Sequence, residues 1–103
     1  MSIRTRLEKE LRGLPSLSHR ASRFGDSKSY FVADREVAHF HGDQRMDVRL
    51  TKERIRLLKE EGSLDVRVRT RGRYAEWASL PLLDERDLAL AVEMVLEAIR
   101  ANS

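Results

Sequence analysis

Between Ser29 and Leu50 the chain lays down three strand-like runs with very little between them. Ser29-Tyr30-Phe31-Val32-Ala33 is aromatic and β-branched, and Glu36 to His41 follows directly after Asp34-Arg35. Beyond a turn at Gly42-Asp43, Met46, Val48 and Leu50 alternate with Arg45, Asp47 and Arg49. Connections this short close hairpins, because parallel strands need a crossover of roughly a dozen residues or more. The chain is committed to an antiparallel sheet.

The flanks supply the helices. Ile3, Leu7, Leu11 and Leu14 form one helical stripe that Gly13 and Pro15 end, which predicts a helix over residues 2–12. Leu17 to Phe24 alternates weakly up to a turn at Gly25-Asp26. Thr51 is the N-cap of a second helix that buries Ile55 and Leu58, with Gly62 as its left-handed stop. Leu64, Val66 and Val68 then alternate with Asp65, Arg67 and Arg69, which predicts a strand. A turn at Arg71-Gly72-Arg73 leads to a hairpin partner over Tyr74 to Leu80. After Pro81, Asp84 caps a last helix whose stripe is Leu88, Val92, Val95 and Ile99. Residues 1–103 therefore read as a single α+β domain. Its mostly antiparallel sheet of about five to six strands carries the N- and C-terminal helices on one face.

Composition bounds what such a domain does. With 103 residues there is room for one domain, and with no cysteine there is no disulfide framework, thiolate metal site or cysteine nucleophile. No apolar stretch approaches the ~20 residues of a membrane span, and the first residues lack the apolar run of a signal peptide. The expectation is a cytoplasmic protein with no membrane partner and no bound cofactor. Residues 1–80 carry 18 Lys and Arg against 12 Asp and Glu, whereas residues 81–103 carry 2 against 5. A basic body with an acidic end admits an anionic partner.

If helices cover one sheet face, the other shows water its polar residues. Phe40 is the better core residue of its strand, which turns His39 and His41 outward with Arg45, Asp47 and Arg49. Trp77 shares a face with Ala75 and Ser79, and the pattern leaves that face open. His39-Phe40-His41-Gly42-Asp43 is the most distinctive string. Two histidines at i and i+2 on a strand lie about 7 Å apart on one face. They have the spacing to share a divalent metal such as zinc, with Asp43 or Asp47 as third ligand, or to act as acid and base. The bland alternative is a pair of surface histidines bonded to neighbours such as Asp47. Arg67, Arg69 and Arg71 repeat every second residue and could meet a phosphate backbone, or could instead blunt an edge strand. The glycines are scattered at turns, so there is no phosphate-binding loop.

These residues also carry a resemblance. Arg23-Phe24-Gly25, then Tyr30-Phe31-Val32-Ala33-Asp34-Arg35-Glu36-Val37-Ala38-His39-Phe40-His41-Gly42-Asp43, is similar to the small bacterial and archaeal luciferase-domain proteins. The likeness runs over most of residues 3–101, and His39-Phe40-His41-Gly42 is its most specific part. Thr51–Glu61 resembles the family's basic helix, Trp77 its tryptophan, and Asp84–Asn102 its final helix. Two departures stand out: Val66-Arg67-Val68-Arg69-Thr70-Arg71 replaces a histidine-bearing stretch, and Glu76-Trp77 replaces a Gly-Trp. The resemblance implies no light-producing chemistry.

The leading expectation is a binding or interaction module whose partner is another protein or a small anionic ligand. Its working surface is His39, His41, Asp43, Arg45, Asp47 and Trp77. The alternative is a small metal-dependent or acid–base enzyme using His39 and His41. A third reading is nucleic-acid binding through Arg67, Arg69 and Arg71.

Overall fold

Six strands pair in the order β1-β2-β3-β4-β6-β5, every neighbour antiparallel. They are β1 (Ser18–Ala21), β2 (Lys28–Val32), β3 (Arg35–Phe40), β4 (Arg45–Arg49), β5 (Arg69–Thr70) and β6 (Trp77–Pro81). The helices are α1 (Ile3–Arg12), α2 (Lys52–Glu60) and α3 (Glu85–Ala101). This is a computed structural model that describes residues 2–21, 28–71 and 75–103. The Arg23-Phe24-Gly25 string, the turn at Gly25-Asp26, and Gly72, Arg73 and Tyr74 lie outside the described residues.

Register sorts the side chains. Tyr30, Ala38, Val48 and Ala78 stand in one row across β2, β3, β4 and β6, and Phe40, Met46 and Leu80 form a second row. All seven are buried, with Phe40 and Met46 among the largest fully buried side chains. Helix α3 lies over β3, β4 and β6 and against α1, and its Leu90, Ala91, Met94, Val95 and Ala98 close the core with Leu7 and Leu11 of α1. Burying a side chain of Leu or Met size stabilises by roughly 1.5–3 kcal/mol, so this single layer holds the sheet flat against the helices.

Caps fix the helix ends. Ser2, Thr51 and Asp84 each accept a backbone N–H from the first turn of α1, α2 and α3 respectively. Gly62 takes φ +67° just past α2, a left-handed position where a side chain would be strained. Arg54 binds both carboxylate oxygens of Glu97, at 2.9 and 3.2 Å, and pins α2 to α3.

The alternation from Leu64 to Arg69 does not make a strand. Asp65 accepts the backbone N–H of Arg67 at 2.9 Å, and the Arg67 guanidinium folds back onto Asp65 at 3.0 and 3.1 Å. A side chain that satisfies the backbone locally competes with the ladder, and here it produces a turn. Only Arg69 and Thr70 pair, and Val66, expected inside, is 94% exposed. Arg67 also bonds Asp87 at 3.1 Å, and Asp87, 4% exposed, accepts the Leu83 N–H at 2.9 Å.

Replacing Asp87 with Ala removes both bonds and frees the turn ahead of α3, at a cost of about 2 kcal/mol or more in urea unfolding. Val66→Ala changes the same measurement by less than about 0.5 kcal/mol. A cost above about 1 kcal/mol for Val66 would return that residue to the core and contradict the turn.

Candidate functional site

The sheet face away from the core carries a polar row that crosses all six strands. Arg20, Ser29, His39, Asp47, Ser79 and Arg69 are successive register partners from β1 to β5. At its centre His39 Nε2 donates to Asp47 Oδ2 at 3.1 Å. His39 Nδ1 lies 3.3 Å from Glu36 Oε1. Glu36 reaches that face because the register between β2 and β3 shifts at Tyr30/Phe31, so that Phe31 pairs with Glu36 while Tyr30 pairs with Ala38. One extra residue, Val37, bulges there, and a bulge re-aims the side chain beside it.

Each ring nitrogen of His39 therefore faces a carboxylate, an acceptor that calls for an N–H on both. The hydrogen bond to Asp47 raises the His39 pKa; burial opposes it, and the charges of Asp47 and Glu36 add to the rise. Burial alone would raise Asp47, but its bonds to His39 and Ser79 outweigh this and hold its carboxyl below the ordinary range. Geometry and both shifts favour the imidazolium of His39 against the carboxylate of Asp47.

Trp77 starts β6 and belongs to this face, opposite Arg49 of β4. Its ring lies 5.0 Å from the His39 ring on β3, so the indole reaches across β4. The Arg49 guanidinium stacks on the indole at 4.8 Å, and its Nε is buried with no hydrogen-bond partner. Glu76 is fixed beside Trp77 by a backbone bond from Thr51 N–H to the Glu76 carbonyl at 3.1 Å. Thr51 holds φ +76°, a strained value for a β-branched residue that this bond and its capping of α2 maintain.

Above this floor opens a cleft of about 620 Å³ lined by strand and turn residues. His39, His41, Arg45, Asp47 and Trp77 of the expected surface line it together. Asp43 does not: it is exposed and sits 3.3 Å from Arg4 of α1. Of the three arginines expected in a line, Arg69 and Arg71 line the cleft, while Arg67 is held in its turn by Asp65 and Asp87. Among the described residues no group of three or more His, Cys, Asp or Glu could hold a metal ion. Ser29 Oγ, next to His39 in the row, is buried and makes no bond to it, so the row is not a Ser-His-Asp triad.

Glu36, Glu76 and Ser79 also line the cleft, and the residue patterns did not single them out. Strict alternation places Glu36 with Ala38 on the core face, and only the bulge reverses it. Ser79 was legible through its shared parity with Trp77.

His39 has a folded pKa above its unfolded value of about 6.5, so its contribution to stability is full below that pH and fades as pH rises through the folded value. Asp47 is the opposite case, and its contribution is lost as pH falls through its lowered value. NMR titration of the ring protons will find His39 titrating above about 6.5, and Asp47→Asn will bring that midpoint down. An unchanged midpoint in the variant would contradict the pair.

The Luciferase domain family matches residues 34–98, well over half of the 103-residue chain. That segment contains every residue lining the cleft and begins at the turn between β2 and β3. No curated protein and no solved structure matches the chain. Among the described residues no helix is long and apolar enough to cross a membrane. With matched residues running from Asp34 into α3, the chain belongs to the luciferase-domain family.

Proposed function

We propose that this domain is a binding module for a small anionic ligand seated in the cleft on the open sheet face. The observation that carries the reading is the state of the arginines. Arg4, Arg6, Arg20, Arg54, Arg56 and Arg67 all have carboxylate partners within 3.6 Å. Among the described residues Arg45, Arg69 and Arg71 have none, which is equally true of Arg12, Arg49, Arg86 and Arg100, but these three are gathered around one recess. Unpaired guanidiniums around a recess raise the local potential for anions and offer planar, bidentate donors to a carboxylate or phosphate.

Acid–base or metal chemistry at His39 ranks below this reading. A base or a metal ligand needs a nitrogen lone pair, and each ring nitrogen here faces a carboxylate instead. At His39 the enzyme reading therefore requires Glu36 or Asp47 to let go first, and His41, the other histidine of that reading, lines the cleft as a single exposed imidazole. Nucleic-acid binding loses its third arginine to the Asp65 turn, and among the described residues the cleft offers one tryptophan where a strand of bases wants several stacking plates.

Inorganic pyrophosphate is a suitable probe, because it carries anionic charge without any other recognition feature. Calorimetry should detect its binding, and Arg69→Gln/Arg71→Gln should weaken it roughly 10–100-fold, the loss expected for charge-assisted hydrogen bonds. The melting temperature of the unliganded variant should stay within a few degrees, since among the described residues neither arginine is ion-paired. Failure of the wild type to bind at millimolar pyrophosphate defeats the reading. Tighter binding of a DNA duplex that disappears in salt, with no pyrophosphate binding, transfers it to nucleic acid.

A further inference from the structure

The cleft has a polarity along the strands that a bare anion site does not need. Trp77 pairs with Arg49 and Pro81 with Arg45, so Arg45 lies four residues along β6 from Trp77. Glu76 precedes Trp77, and Glu36 lies two residues before Ala38, which pairs with Val48. The two carboxylates thus share the end of the cleft beyond Trp77, and Arg45 stands at the other. By strand rise the two ends are roughly 17 Å apart. Between them lie the Trp77 indole and the His39 ring, with Arg69 and Arg71 on the β5 side.

Resting on the anion-binding reading above, we infer that the ligand is a nucleoside monophosphate. Its phosphate lies at the Arg45 end, its sugar beside the middle row that holds Arg69, its base against Trp77, and the base's donor edge at Glu76. A base, a sugar and a phosphate laid end to end match the order along the cleft of Trp77, the hydrogen-bonding row of His39, Asp47 and Ser79, and Arg45. The cleft volume of about 620 Å³ falls within the usual range for a small-molecule site. Glu76 is the carboxylate with capacity to spare. Among the described residues its one charged contact, to Arg35, is 3.9 Å long, whereas Glu36 is engaged with His39 at 3.3 Å. A carboxylate accepts from two parallel N–H groups at once, so the base that suits it is guanine, whose N1–H and exocyclic amino group present that pair. Adenine and uracil lack the pair.

The chain has a single tryptophan, so Trp77 fluorescence reports directly on whatever stacks there. GMP, AMP, UMP, ribose 5-phosphate and a guanine-containing single-stranded oligonucleotide are titrated, with calorimetry beside the fluorescence and circular dichroism confirming that each variant is folded. GMP is expected to bind at least tenfold tighter than ribose 5-phosphate and to quench Trp77. Glu76→Gln is expected to weaken GMP about tenfold while leaving ribose 5-phosphate unchanged. Equal affinity for GMP and ribose 5-phosphate overturns the nucleotide assignment and leaves the anion site standing. Equal affinity for all three nucleotides overturns the role of Glu76. An oligonucleotide binding far tighter than GMP replaces the free nucleotide with a strand. Binding by none of these, nor by pyrophosphate, overturns both this inference and the reading on which it rests.

Discussion

Because the two terminal helices pack on the same side of the sheet, each strand has one face to bury and one to present. The core rows Tyr30–Ala38–Val48–Ala78 and Phe40–Met46–Leu80 exist because α3 lies over them. The residues between them are forced to the other side by the pleat, which places His39, Asp47 and Ser79 in one line without any further instruction. A slip of one residue in any of these strands would exchange the two sets, so burial of Phe40 and Met46 is also what fixes the site.

Within that face the fold departs from regularity in two places, and both serve the cleft. The extra residue in β3 turns Glu36 toward His39, and the strained Thr51 holds the Glu76 carbonyl at the start of β6. Strain and bulges cost free energy of order 1–3 kcal/mol each and persist only where surrounding structure over-determines them. Here they gather Glu36 and Glu76 at one end of a surface that also carries His39, Asp47, Trp77, Arg45, Arg69 and Arg71. The match to the Luciferase domain family covers Glu36, Thr51 and Glu76 and leaves α1, β1 and β2 outside it.

Much of this was legible in the sequence because it depends on period and on caps. The strand content between Ser29 and Leu50, the Thr51 and Asp84 caps, and the single α+β domain follow from local rules. So does the placement of Phe40 inside and His39 outside. What failed to show was decided by contacts distant in sequence or by geometry that breaks the period. The run from Leu64 to Arg69 alternates as well as any strand, yet Asp65 and the distant Asp87 capture Arg67 and turn the chain. Glu36 alternates onto the wrong face until the bulge is counted. Asp43 stands two residues from His41 but belongs with Arg4 on α1, since a turn sends adjacent residues in different directions.

We propose that the open sheet face, organised around His39 and Asp47, is where this domain meets its ligand. Amide chemical-shift mapping during titration with a small anion tests that location without assuming which ligand is native. Shifts are expected at residues 36–47, 69–71 and 75–79, with Val66, Leu83 and the outer faces of α1 and α3 unmoved. Shifts scattered over the surface, or centred on the exposed Val66 and Leu83, would contradict it.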